Sequence, residues 1–178
     1  MTAKGHMALA SAATLSYIYV DSDLISTLPH FEFFLLAILV GSLFPDVDEP
    51  ESYIGNKLKV VSIVMSSIFK HRTFTHYLIL PLLLLLFAFF YIDNVFNKVT
   101  ILGFAIGILL HDAGDMLTKG GIKGFLWPIF PNTRIALLPY FLRFKTFSIE
   151  EYVLVYLVLT PLNVLLVFHF AKMEWWGL

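Results

Sequence analysis

The run "LILPLLLLLFAFFYI", Leu78 to Ile92, most limits the folds open to this chain, because it carries no charged residue at all. It follows directly on "KHRTFTHY", Lys70 to Tyr77, which sets two histidines, an arginine and two threonines against the greasiest part of the sequence. Such a boundary is either the polar cap of a membrane helix or part of a site.

Composition settles the environment. A chain of 178 residues with mean hydropathy +0.81, 58% hydrophobic and 14% charged, is too apolar for an ordinary soluble domain. It reads as one integral-membrane domain over residues 1–178, since spans of about 20 residues leave little room for a second domain. Apolar stretches lie near residues 7–20, 31–45, 77–92, 99–118 and 149–171, separated by segments rich in Asp, Asn, Pro, Gly and Lys. The expected fold class is therefore all-α, a polytopic membrane helix bundle of about five transmembrane helices plus interfacial helices. The first two stretches are short for a bilayer. Gly103 and Gly107, four apart, would let neighbouring helices approach closely. Met1 to Met7 does not read as the start of a cleavable signal.

Two connecting segments complete this reading. Residues 58–69 place Leu58, Val61, Met65 and Ile68 on one helical face and Lys59, Ser62, Ser66 and Lys70 toward another, which suits an interfacial helix or a buried connecting one. The stretch "GFLWPIFPNTRIALLPYFLRFK" has three prolines, makes a poor continuous span, and is expected along the headgroup region or dipping partway in.

Five spans also divide the cations. Lys4, Lys57, Lys59, Lys70, Arg72, Lys119, Lys123, Arg134, Arg143 and Lys145 fall on the side of the N-terminus, and only Lys98 and Lys172 on the other. That bias of ten against two places the N-terminus in the cytoplasm and the C-terminus outside.

The same topology sends polar residues of four spans to the cytoplasmic face. These are His6, Asp46 and Asp48 of "FPDVDEPE", His71 and His76, and His111, Asp112 and Asp115 of "LLHDAGDML". Ionisable groups at membrane depth are expensive, so a convergent set signals function. His111 and Asp115, four apart on a helix, point the same way, and Asp112 points elsewhere. Asp46 and Asp48 alternate after Pro45 in a turn context. His71 and His76 are five apart, so a loop must turn both inward, with Thr73 or Thr75 capping the helix that follows. Each residue alone is as well explained by capping or hydrogen bonding. Together, and with no cysteine in the chain, they form a nitrogen and oxygen set for zinc, manganese or iron, one ion or two. His30 and His169 fall on the far side and receive no role.

The blocks "MTAKGH", "FPDVDEPESYIGNKLK", "KHRTFTHY" and "HDAGDMLTKGGIKGFLWP", in that order, resemble the YdjM-like group of bacterial inner-membrane proteins, which are regarded as metal-dependent hydrolases. Beyond residue 130 no block takes part in the resemblance. The family pattern implies roles for His6, Asp46, Asp48, His71, Arg72, Thr75, His76, His111, Asp115 and Thr118, with Thr75 and Thr118 beside the substrate. Relatives often carry histidine after the second aspartate, where this chain has Glu49. A more remote similarity, in histidine and His-x-x-x-Asp ligands on helices, is to zinc-dependent phospholipases C and zinc nucleases, which cleave phosphoesters.

The expectation is a membrane-bound metal-dependent hydrolase, phosphoesterase-like, acting on a phospholipid or lipid-linked phosphate at the cytoplasmic leaflet. Zinc heads the candidate metals, held by His6, Asp46, Asp48, His71, His76, His111 and Asp115. Arg72 would clamp the phosphate in bidentate fashion, and Asp112 or Glu49 would relay protons. Membrane lipids are the expected partners, with no nucleic acid, since no basic groove stands apart from the topological cations. The competing readings are a non-catalytic structural metal site, which would be closed and whose loss would unfold the chain, and an ion transporter, which would place ionisable groups near the midplane.

Overall fold

Four helices open on a polar side chain that closes the first turn: Thr2 accepts from Gly5 N, Ser52 from Gly55 N, Asn94 from Asn97 N and Ser148 from Glu151 N. Each cap satisfies one of the amide groups that a helix start leaves unpaired. The computed structural model describes residues 1–21, 24, 27–69 and 71–176, with side chains described as far as residue 171. Lys70 and the side chain of Lys172, both counted in the charge bias, lie outside the described residues.

The helices are α1 (Ala3–Val20), α2 (Phe31–Gly41), α3 (Tyr53–Lys57), α4 (Lys59–Ile68), α5 (Ile79–Tyr91) and α6 (Val95–Met116). A final helix, α7, starts as Ile149–Tyr152, widens through a π-helical segment Val153–Leu159 and continues as Thr160–Trp176. Single turns of 3₁₀ helix at Phe44–Asp48 and Phe74–His76 punctuate the loops before α3 and α5. Helix makes up 69% of the structure and strand 4%.

That strand content is a short antiparallel hairpin, β1 (Ile122–Lys123) with β2 (Arg134–Ile135), closed around the first part of the proline-rich stretch, together with an isolated bridge between Thr118 and Phe144. The prolines at 128, 131 and 139 cannot continue a helix there, and Gly124 turns the chain at φ +72°.

Among the described residues, two helices are long and apolar enough to cross a bilayer, α6 and the Ile149–Ala171 part of α7. The 22 residues of α6 rise about 33 Å, the scale of the hydrocarbon core. By contrast, the 11 residues of α2 rise only about 16 Å. Helices therefore occupy all five apolar stretches, but α2 and α5 are shorter than a crossing requires.

Helix α6 is the hub, packing on α2, α5 and α1. Its contact with α2 is backbone on backbone. A Cβ on Gly103 would lie 2.5 Å from Phe34 O, one on Gly107 2.2 Å from Ile38 O, and one on Gly41 2.2 Å from Phe104 O. The four-residue spacing of small residues thus places α2 where any side chain would hold it off. Helix α4 buries Ser62 alone and exposes Val60, Val61, Ile63, Val64 and Ile68, which excludes the buried-connector reading of that segment.

Candidate metal centre

One face of α6 reads Gly103, Gly107, His111, Asp115 at four-residue intervals, and α2 answers with the carbonyls of Phe34, Ile38 and Ser42 at the same interval. Where the glycines end, the third carbonyl meets a side chain: His111 Nδ1 lies 2.7 Å from Ser42 O. A carbonyl only accepts, so Nδ1 carries the proton and Nε2 is left with its lone pair free. This is the arrangement in which a backbone carbonyl orients a metal-binding imidazole.

His76 is treated the same way by different groups. Its Nδ1 is 3.0 Å from Thr75 Oγ1 and 3.8 Å from Asp48 Oδ2, and its Nε2 points inward. The two inward nitrogens, His76 Nε2 and His111 Nε2, are 3.2 Å apart. Two nitrogens bound to one tetrahedral zinc at about 2.0–2.1 Å each lie roughly 3.3–3.4 Å from one another, so the separation suits a shared ion.

His6 arrives from α1. Its ring stacks on His111 with centroids 3.7 Å apart and planes 8° from parallel, and its Nε2 is 3.4 Å from Asp115 Oδ1. Neither nitrogen of His6 has a hydrogen-bond partner, although the side chain is wholly buried. Buried polar atoms normally find partners, and an imidazole without one beside a carboxylate fits a metal ligand. His6, His111 and Asp115 each offer a ligand atom within 4.8 Å of the others, as do Asp46, His76 and His111. The two groups share His111, and together these buried His and Asp residues could hold a metal ion.

Asp115 is the electrostatic centre. Around it lie His6, His76 at 3.6 Å and His111 at 3.9 Å. Arg72 approaches with Nε 2.8 Å from Oδ2 and Nη2 donating to Oδ1 at 2.9 Å, and the Met1 nitrogen also donates to Oδ1. A carboxylate only 1% exposed needs this much compensation. Arg72 itself is seated by neighbours: Nη1 donates to Thr118 Oγ1 at 3.3 Å and to Gly121 O at 3.4 Å. A Cβ on Gly120 would come within 2.3 Å of the same nitrogen, so the "TKGG" that follows α6 makes room for a guanidinium. The backbone of Arg72 is left-handed, φ +62°, an uncommon state for a non-glycine residue.

Asp48 and His71 form a separate pair at the edge of the cluster, with His71 Nδ1 2.7 Å from Asp48 Oδ1. The other oxygen of Asp48 accepts from Thr75 Oγ1 at 2.9 Å and from Arg72 N at 3.2 Å. Burial works against charge on both partners. For His71 the hydrogen bond to Asp48 and the fields of Asp48 and Asp46 outweigh it and raise the imidazole above its ordinary value. For Asp48 the hydrogen bond from His71, the charges of His76 and His71 and the Thr75 hydroxyl hold the carboxyl below its ordinary value. Both residues belong to the sequence-derived ligand set, but neither belongs to the groups whose ligand atoms converge.

Of the remaining expectations, Thr75 and Thr118 are buried beside His76 and Arg72 respectively. Asp112 is buried with both carboxylate oxygens unpartnered and stands outside the converging groups, as its position one residue beyond His111 requires. On the far side His30 sits edge-on to Phe96 and His169 edge-on to Tyr19.

A family model described as YdjM inner membrane protein matches residues 1–176. Inner membrane protein YdjM of Escherichia coli (strain K12) is 32% identical over 149 residues, covering 78% of this chain and 71% of that protein. The chain belongs to the YdjM inner membrane protein family. YvsG of Bacillus subtilis (strain 168) is 35% identical over 163 residues, 89% of this chain and 91% of the relative. The YdjM protein of Shigella flexneri matches as the E. coli one does. No solved structure matches. The names of the YdjM relatives support a bacterial inner-membrane location.

The YdjM match runs to residue 176, past the last block of the sequence resemblance, and α7 has a structural part in the site. Glu151, 1% exposed, accepts from Thr2 N at 2.6 Å and from Phe147 N at 2.7 Å. Asn163 Nδ2 donates to Ala8 O at 3.0 Å. The bonds to Thr2 and Ala8 pin the start of α1, and with it His6, against α7. Sequence reasoning missed Glu151, Ser42 and Gly120. An acidic residue in an apolar stretch signals the first; Ser42 acts through its carbonyl, which no residue type announces.

Proposed function

We propose that this YdjM-family protein is a metal-dependent hydrolase of the bacterial inner membrane that cleaves a phosphoester of a phospholipid or lipid-linked phosphate at the cytoplasmic leaflet. The observation that carries this reading is the pair of inward Nε2 atoms 3.2 Å apart beside the orphaned imidazole of His6.

His6, His76, His111, Asp46 and Asp115 would hold one or two divalent ions, zinc before manganese or iron given nitrogen and oxygen donors and no cysteine. The chemistry supplied there is the lowering of a water's pKa from about 16 toward 7 and the polarisation of a phosphoryl oxygen. Ser42 and Thr75 keep the two imidazoles in the ligating tautomer. Asp48 and His71 brace Thr75 and the backbone of Arg72, and at the edge they stand ready to serve as further ligands. Arg72 and His71 line a cavity of about 830 Å³ that also reaches Asp46, and a phosphate entering it would meet a guanidinium already anchored on Asp115, Thr118 and Gly121. Thr118 seats Arg72, and Asp112 is the spare carboxylate for proton relay.

Five spans, with the N-terminus cytoplasmic and the C-terminus outside, remain the proposed topology, with the bilayer thinned around the short α2 and α5 and α4 lying in the interface. The cation bias supports it, and the whole cluster then sits at the inner leaflet's headgroup level.

The experiment is elemental analysis of purified protein together with an assay of phosphoester cleavage in detergent with zinc or manganese added, read as the phosphorylated headgroup or free headgroup split from diacyl phospholipids and as phosphate released from polyprenyl monophosphates. An ion that co-purifies and a turnover that chelation stops are expected. Protein that neither carries nor takes up an ion ends the proposal. Complete burial of His6, His76 and His111 also suits a purely structural ion; in that case chelation unfolds the chain and no substrate turns over.

A further inference from the structure

The cavity beside the cluster has a second end that the proposed chemistry does not use. From Asp46, His71 and Arg72 it extends to Tyr152, Val155 and Tyr156 on α7, and its volume of about 830 Å³ is that of a ligand pocket rather than a packing defect. The polar end abuts the candidate metal centre. The apolar end lies in the first turns of a helix apolar enough to cross the membrane from Ile149.

Three observations make the apolar end a built surface. The rings of Tyr152 and Tyr156, which both line the cavity, stack 14° from parallel with centroids 6.1 Å apart and so make a paired aromatic wall. The helix is π-helical over Val153–Leu159, and the widened turn is closed by Thr160 Oγ1 donating to Val155 O at 2.8 Å. Single π turns within α-helices cluster at functional sites, because they re-aim side chains at the cost of regular hydrogen bonding. Finally, Glu151 on Thr2 N and Asn163 on Ala8 O fasten α7 to α1 on either side of this segment, which fixes its position beside the cavity.

We infer that Tyr152, Val155 and Tyr156 bind the hydrocarbon chain of a phosphate-bearing lipid whose phosphate meets Arg72 and His71. This rests on the proposed function for the identity of the head and adds the site of the tail. A pocket whose polar end sets Arg72, His71 and Lys4 among the carboxylates of Asp46, Glu49 and Glu51 and whose other end is aromatic, opening where a candidate span begins, matches an amphiphile rather than a soluble phosphoester. The chain supplies apolar burial, and the head supplies orientation.

The test uses full-length protein in detergent and limiting phosphatidic acid that carries a photoreactive diazirine in its acyl chain, with labelled residues mapped by mass spectrometry. Labelling of residues 152–156 is expected to saturate and to be displaced by excess phosphatidic acid, but not by glycerol phosphate or diacylglycerol. Val155→Trp, which fills the wall, lowers it about tenfold, while labelling of the outward-facing Leu83 and Phe87 on α5 is unchanged. Tyr156→Ala, a truncation less prone to misfolding, also lowers it. Labelling spread equally over α5 and residues 152–156, or full displacement by glycerol phosphate, overturns the inference. Hydrolysis of the same lipid, and of the diacyl phospholipids and polyprenyl phosphates named above, is measured in parallel. Selective labelling without hydrolysis upholds the tail site and sinks the hydrolase reading; hydrolysis without selective labelling does the reverse.

Discussion

At the Val95 end of α6, His30 rests edge-on against Phe96, which in turn packs on Phe33; at the Met116 end, His111 stacks on His6, faces His76 and shares the space with two carboxylates. The same side chain is aromatic packing at one end and a convergent nitrogen donor at the other. What differs is the company. The far end brings rings alone, whereas the near end brings a carbonyl that fixes one nitrogen and carboxylates that make a cation welcome at the other. A histidine near a membrane boundary is thus informative only with its partners.

The largest effect that sharpens this contrast is on the ion itself. On the proposed function, His111→Ala is expected to abolish metal binding and turnover, beyond the roughly 10–100-fold loss typical of a supporting residue, while His30→Ala and His169→Ala keep both, as read by elemental analysis and phosphoester cleavage. Next comes the support around the cluster. Asp48→Asn breaks the pair with His71 and weakens metal affinity by about 10–100-fold, measured by competition with a chromophoric chelator. Gly107→Ala pushes α2 off α6 and costs about 1–3 kcal/mol, seen as a lower thermal midpoint in detergent, with a parallel fall in metal affinity that a purely remote packing defect would not give.

The smallest effect is the pH dependence of the edge pair. His71 is raised above 6.5, so its contribution to stability is full below pH 6.5 and fades as pH rises through the folded-state value. Asp48 is lowered below 3.8, so its contribution is full above pH 3.8 and fades as pH falls through its folded-state value. In metal-free protein, the stability lost in His71→Ala should therefore be greatest between those two pH values and shrink on either side. A difference that grows steadily into alkaline pH would show that the pair is not the source.

The membrane character, the positions of five apolar helices and the gathering of His6, Asp46, His76, His111 and Asp115 were legible because polar residues in so greasy a chain are few and stand at helix ends. The near contact through Gly103 and Gly107 was legible from spacing alone. Helix length was less so. Hydropathy continues to residue 45, but α2 ends at Gly41, because the 3₁₀ turn Phe44–Asp48 is needed to bring Asp46 back to the centre. The division between converging groups and the Asp48–His71 pair was not legible either, since it depends on a loop that bends at a left-handed Arg72. Nor was the role of Thr118, which holds a guanidinium through the geometry of two glycines.

The hydrogen bond from His111 to Ser42 depends on no side chain of Ser42. Its acceptor is main chain, delivered by the way two rods cross. No exchange of one residue type for another at position 42 deletes that acceptor; only a shift of one rod against the other can. The electronic state of the central imidazole is therefore inherited from helix packing, and a distant change that slides α2 along α6 would reach the candidate metal centre as surely as replacing one of its own side chains.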